Sequence, residues 1–155
     1  MGMARYAFYS GSMAGIACVA ALAIAARCEG RSAFQPMNAT SHWIYGETAA
    51  SVTRFDPRRT GVGVITNIAA CFFWALPLSL WLKAGPRRHP LHLLSTASAL
   101  SAFAAFFDYR VVPKRLRPGW ERAISRRSIA AVFGAIAGGM AAGSWVAQRR
   151  RFPAA

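Results

Sequence analysis

Acidic residues are scarce in this chain of 155 residues, which has five Asp and Glu against nineteen Lys and Arg. Charged residues make up 15% of the sequence, below the roughly 25% of soluble domains. The net charge of +14 could serve phosphate binding in a nucleic acid. However, nearly every Lys and Arg lies outside the apolar runs, as at the ends of membrane spans. The distribution argues against an ordinary soluble domain and favours a membrane protein without a nucleic-acid partner.

Cysteines and catalytic signatures are also sparse. The three cysteines, Cys18, Cys28 and Cys71, are odd in number and show no C-x-x-C spacing, which argues against a disulfide framework and a zinc site. The sequence contains no Gly-x-Ser-x-Gly, phosphate-binding loop or H-E-x-x-H motif. We therefore expect no catalytic residue, no metal ligand and no cofactor, and an enzyme ranks below an interaction protein and a transporter.

Long apolar runs dominate the rest of the sequence. A helix needs about 20 mostly apolar residues to cross a bilayer, and four runs reach or approach this length, at residues 7–26, 61–82, 91–107 and 128–147. They predict a single all-α domain over residues 1–155, an integral membrane bundle of four transmembrane helices. The first run has an alternative as a signal peptide, because residues 23–25 resemble a small-residue cleavage site.

Four spans place both termini and the short turn between the second and third runs on one side of the membrane. That side carries seven basic residues, and the side with the two longer connections carries twelve. The positive-inside rule therefore favours cytoplasmic connections and external termini. The opposite orientation remains open, because the basic cluster at residues 149–151 would then also lie inside.

Glycines four residues apart recur in the first and last runs. Glycines at this spacing share a helix face and let two helix backbones approach closely. We expect these positions to pack within the bundle, with a homodimer interface as the alternative. The predicted helix-packing residues are Gly11, Gly15, Gly134, Gly138, Gly139 and Gly143.

All five acidic residues fall on the side that carries the polar stretch "PMNATSHWIYGE" at residues 36–47. This stretch predicts a short interfacial helix capped by Asn38 and ended at Gly46. The favoured interpretation is an anchor at the membrane surface, and the alternative is a polar pocket in which His42 lies beside Asp108. The candidate polar site comprises Asn38, His42, Glu47, Asn67, Asp108 and Arg110.

The third connection is rich in arginine and lies directly between two spans. Each basic residue beside a membrane surface attracts anionic lipid by about 1 kcal/mol. The predicted headgroup-binding residues are Arg115, Arg117, Arg122, Arg126 and Arg127.

Three stretches resemble a group of small, uncharacterised bacterial inner-membrane proteins with about four spans. These are "PMNATSHWIYG", "DYRVVPKRLRPGWE" and "FFWA". The resemblance implies a fold and a bacterial inner-membrane location but no activity. In that group a His pair often opens the second span, whereas Asn67 and Ile68 stand here, which weakens a metal or proton-relay role. We expect a non-enzymatic inner-membrane protein that contacts anionic lipid, another membrane protein or its own copies; the alternative is a small-solute or proton transporter acting as an oligomer.

Overall fold

A computed structural model describes residues 2–84, 86 and 88–149, and within them it contains helices and no strand. The helices are α1 (Gly2–Cys28), α2 (Gln35–Thr40), α3 (His42–Tyr45), α4 (Pro57–Lys83), α5 (Pro90–Phe106) and α6 (Arg126–Arg149). Short 3-10 turns occupy Glu47–Ser51, Lys114–Leu116 and Trp120–Arg122, and one π-helical turn, Phe107–Val111, continues α5. The prediction of an all-α fold is confirmed.

Four of these helices are long and apolar enough to cross a membrane: Gly2–Cys28, Pro57–Lys83, Pro90–Val111 and Arg126–Arg149. Each contains one predicted span and extends beyond it, because the flanking polar residues continue the helix past the apolar window. In the third span the π turn carries the helix past Phe107. The chain has the architecture of a multi-pass membrane protein with four helices in one bundle.

Helix α1 lies at the centre of the bundle, between α4 and α6, and α5 packs mainly against α6. Small residues of α1, including Ser10, Ala14 and Cys18, are buried and allow this central position. Helices α4 and α5 are consecutive in the chain but touch only slightly. A gap therefore remains between them.

Four of the six predicted packing glycines lie against neighbouring helices, as expected. A Cβ atom on Gly139 would lie 2.6 Å from the Met13 carbonyl oxygen of α1, and one on Gly143 would lie still closer to the α1 backbone, at Tyr9 one turn earlier. Gly11 and Gly15 contact α4, at Phe72 and Ile68. These glycines let α1 approach both of its neighbours closely.

The prediction is wrong for Gly134 and Gly138 within a single chain. A Cβ atom on either would meet no described atom within 4 Å. The reason is rotational: Gly138 lies about 100° around the helix from Gly139, so α1 covers one glycine pair and leaves the other open.

Candidate functional site: the polar end of the bundle

The stretch at residues 36–47 folds into two short helices instead of one. Helix α2 begins before Asn38, with Phe34 at its N-cap and Pro36 in its first turn, where the fixed φ of proline is favourable. The prediction that Asn38 caps the helix is therefore wrong. Gly46, at φ 75°, does end α3, and Trp43 and Ile44 on this helix are exposed. Both are available as anchors at a membrane surface.

Asn38 is completely buried and fastens α2 to the chain segment before α4. Its amide nitrogen donates to the carbonyl oxygens of Val52 and Arg54 at 2.7 and 3.0 Å. Its amide oxygen accepts a 2.6 Å hydrogen bond from Thr60 Oγ1. All of its polar atoms are satisfied by the protein, so this member of the predicted polar site has a structural role.

A second buried cluster joins Thr40, Asn67 and Trp120, which come from α2, α4 and the third connection. Trp120 Nε1 donates to both Thr40 Oγ1 and Asn67 Oδ1 at 3.2 Å. Asn67 Nδ2 donates to Thr40 Oγ1 at 3.2 Å. Asn67 was expected in the site, whereas Thr40 and Trp120 were not. A tryptophan beside the Pro-Gly turn of a polar loop could have signalled the cluster, since a buried indole N–H needs an acceptor.

Two glycines make this docking possible. A Cβ atom on Gly63 of α4 would overlap the Met37 carbonyl oxygen of α2. Gly119 has φ 81°, and a Cβ atom there would lie 2.6 Å from the Ala39 carbonyl oxygen and 2.8 Å from His42 Nδ1. Residues 36–46 and 108–121, two of the stretches that resemble the bacterial membrane-protein group, thus meet backbone to backbone.

His42 does not pair with Asp108, so the alternative interpretation of a shared polar pocket is wrong for these two residues. Its Nδ1 lies 2.9 Å from the Ala39 carbonyl oxygen; because that oxygen only accepts, Nδ1 carries the hydrogen. Nε2 is buried and has no partner among the described residues. Over residues 2–84, 86 and 88–149, no hydrogen bond or ion pair links His42 to Asp108. The two side chains line different spaces: His42 faces a surface cleft with Lys114 and Arg115, and Asp108 faces the interior.

The interior space is a cavity of about 110 Å³ in the gap between α4 and α5. Ala70, Cys71 and Trp74 of α4 form one wall, and Ala104 belongs to the opposite wall on α5. Phe133, Ile136 and Met140 of α6 complete the apolar part of the lining. The polar groups, including Asn67, Thr40, Asp108 and Arg117, gather at the end nearest the two long connections.

A basic cleft opens on the outside of the same end. Its lining consists of Tyr109, Arg110, Arg117, Glu121, Arg126 and Ile129, around a space of about 790 Å³. It adjoins a groove of about 420 Å³ on the surface of α5 and α6. The two share three lining residues, Tyr109, Arg126 and Ile129. The rest of the groove is small or apolar: Ser98, Ser101, Ala102, Ala105, Ala130, Phe133, Gly134 and Ala137. Arg110 thus belongs to this outer cleft and not to a pocket with His42.

The five arginines predicted to bind lipid headgroups have different environments. Arg115, Arg126 and Arg127 are exposed. Arg122 instead forms a salt bridge with Glu47 at 2.9 Å, which also removes Glu47 from the predicted polar site. Arg117 is half-buried, and its Nε donates to the Val112 carbonyl oxygen at 3.3 Å. Arg122 is therefore paired with a carboxylate of the same chain, and headgroup binding by these arginines stays a prediction.

Two carboxylates at this end are held in their ionised form. Hydrogen bonds from the Ser128 hydroxyl and from Ser125 lower the pKa of Glu29 below its ordinary value of 4.5. The Arg59 and Arg58 backbone N–H groups and the Arg59 guanidinium lower the pKa of Asp56 below its ordinary value of 3.8. Asp56 is the N-cap of α4, and Glu29 joins the end of α1 to the start of α6 through Ser125 and Ser128.

No protein-family model, curated protein or solved structure matches the chain. Within the described residues, no three His, Cys, Asp or Glu side chains lie close enough together to hold a metal ion. The function must therefore be inferred from the cleft, the groove and the cavity themselves.

Proposed function

We propose that this chain is a non-enzymatic integral protein of the bacterial inner membrane that binds an anionic phospholipid on the outer face of α5 and α6. The observation that carries the proposal is the continuity between the basic cleft and the apolar groove. A phospholipid has matching parts, because its phosphate group fits the basic cleft and its hydrocarbon chain fits the apolar groove.

The charge of the cleft matches a phosphate group. Arg110, Arg117 and Arg126 line it against a single carboxylate, Glu121. In the described part of the chain, Arg110 and Arg126 form no hydrogen bond or ion pair. Their guanidinium groups remain available to bind phosphate oxygens in the bidentate geometry that arginine favours.

The groove accounts for one of the two open glycines of α6, Gly134. Gly134 lines it together with Ala130 and Ala137, so the missing side chains leave room along the helix surface. In a bilayer such a depression is filled by a lipid chain or by another helix. The arginines at its polar end favour the lipid chain, because a helix would leave their charges without an anionic partner.

Titration of the purified protein with anionic phosphatidylglycerol in nanodiscs of neutral phosphatidylcholine tests the proposal, with bound lipid counted by native mass spectrometry. The double variant Arg110→Gln/Arg126→Gln is expected to weaken binding about 25-fold, since each arginine contributes about 1 kcal/mol. Gly134→Leu should also weaken it, because its side chain fills the groove without changing the charge.

The matched control is Arg54→Gln/Arg58→Gln, which removes two exposed arginines from the same end of the bundle but outside the cleft. Equal loss in this control would reduce the effect to general charge attraction and contradict a site. A stable dimer that Gly134→Leu dissociates, with lipid binding unchanged, would assign the groove to a second copy of the chain.

A small-solute or proton transporter acting as an oligomer is the second candidate. It is favoured by the internal cavity with its carboxylate, because ionisable groups inside the membrane region commonly mark transport paths. Uptake of a solute into proteoliposomes that depends on Asp108 would support it over lipid binding alone.

A further inference from the structure

The cavity between α4 and α5 has the features of a second binding site, which adjoins the outer cleft at Arg117 and the groove at Ser101 and Phe133. Trp74 of α4 packs edge-on against Phe103 of α5 and Phe107 of the π turn, with ring centroids 5.8 Å apart in both pairs. These rings join α4 to α5 beside the cavity, where the two helices otherwise touch only slightly. Trp74, which also lines the cavity, is thereby fixed on the α4 side of this space.

Asp108 gives the cavity its chemical character. It belongs to the π-helical turn that ends α5, and such turns frequently occur at functional sites. Asp108 is the sole carboxylate among the described residues that line the cavity, and in that part of the chain it forms no hydrogen bond or ion pair. A carboxylate in a mainly apolar space is costly unless a cation or a hydrogen-bond donor meets it.

Aromatic rings provide the second element of cation recognition. Trp43, Trp74 and Trp120 all line the cavity together with Phe133. Tryptophan faces attract ammonium groups more strongly than the other aromatic side chains do. The one cationic residue of the described lining, Arg117, has its Nε bound to the Val112 carbonyl oxygen and also lines the outer cleft.

We propose that this cavity binds a small organic ammonium ion, with the charged nitrogen at Asp108 and the tryptophan rings, and the alkyl part against Ala104 and Ile136. The volume sets the size of the ligand. A cavity of about 150 Å³ holds benzene, so 110 Å³ accommodates an alkylammonium of about four or five heavy atoms.

Propylammonium is the probe, with 1-propanol as the neutral molecule of the same shape. The thermal unfolding midpoint of the purified full chain is measured against the concentration of each at constant ionic strength, since a ligand of the folded state raises it in a saturable way. Propylammonium should stabilise the protein more strongly than propanol. Asp108→Asn should weaken propylammonium about tenfold or more and leave propanol unchanged, because a charged hydrogen bond is lost.

Three further variants keep the result interpretable if Asp108→Asn folds poorly. Ala104→Leu fills the cavity and retains Asp108, so it should abolish saturable binding. Arg117→Gln removes a positive charge that repels the ammonium ion, and it should therefore tighten propylammonium binding. Glu121→Gln removes a carboxylate from the outer cleft at the same end, and it should have no effect.

Several outcomes would overturn the proposal. They are equal stabilisation by propanol, unchanged propylammonium affinity in Asp108→Asn or Ala104→Leu, an equal loss in Glu121→Gln, and weaker binding in Arg117→Gln. The Arg110→Gln/Arg126→Gln variant separates this site from the lipid proposal, because it should lose lipid and keep propylammonium.

Discussion

At the scale of single residues, the indole nitrogen of Trp120 joins parts of the chain up to 80 positions apart. It donates to Thr40 and Asn67 at the same distance, in a region where Trp120 is 4% exposed. Buried donors and acceptors are costly to leave unpaired. The cluster therefore holds α2, α4 and the third connection in one arrangement.

Trp120→Phe should destabilise the protein by about 1–3 kcal/mol, because Thr40 and Asn67 lose a shared donor in a buried place. Unfolding of the purified chain in detergent by increasing SDS measures the change. Trp145→Phe is the control, since Trp145 is half-buried and stacks with Arg149 at the other end of the bundle. A loss of equal size in both variants would show that ring volume, and not the hydrogen bonds, causes the effect.

Two carboxylates predict how stability depends on pH. Because the pKa values of Glu29 and Asp56 are lowered in the folded state, their contribution is complete above their ordinary values. It is lost as the pH falls through the lowered values. Unfolding midpoints from pH 7 to pH 3 should therefore fall below about pH 4.5, and Glu29→Gln should flatten part of that decline. Parallel curves for the two proteins would mean that Glu29 does not contribute.

At the scale of elements, α6 carries two glycine pairs with the same spacing and different surroundings. Gly143 contacts the backbone of α1 at Tyr9 and Ser10, whereas Gly138 meets nothing described within 4 Å. The spacing alone predicts that both glycine pairs pack against a neighbouring helix. This prediction is wrong for Gly134 and Gly138, because the rotation of α6 about its axis decides which pair α1 covers.

Gly143→Ala should destabilise the bundle by about 1–3 kcal/mol, the range for an overpacked core, because the helix backbones cannot both keep their positions. Gly138→Ala should cost nothing measurable in the monomer. Thermal unfolding of both variants, together with cross-linking in membranes, tests the pair. If Gly138→Ala instead dissociated an oligomer, the open face of α6 would be an interface between copies.

At the scale of the whole molecule, the four spans were predictable because bilayer thickness imposes a length on every apolar run. The contacts of the polar end were not. Asn38 was assigned to a cap from its residue type, but Pro36 moved the start of α2 and buried Asn38 beside Thr60. Likewise, His42 and Asp108 share a side of the membrane, yet one faces a surface cleft and the other an internal cavity, which topology alone does not reveal.

Topology reporters should give the same side of the membrane at the C-terminus and after Pro86, and the opposite side at Thr53. The balance of basic residues predicts that Thr53 lies in the cytoplasm. Paired fusions to one enzyme active in the periplasm and one active in the cytoplasm provide the measurement. Opposite answers for the C-terminus and Pro86 would remove one of the four spans.

Because α5 packs mainly on α6, it can complete its contacts only after α6 has been synthesised. Helix α5 packs mainly on a helix that is made after it, and the Ser101 hydroxyl, buried in the finished bundle, donates to the Phe133 carbonyl oxygen at 2.7 Å. At about 5–20 residues per second, the stretch from Phe106 to Arg149 takes roughly two to nine seconds to emerge. Throughout that interval the third helix lacks its main packing partner, and a ribosome that stalls before Ser128 leaves the Ser101 hydroxyl without the acceptor it has in the finished bundle.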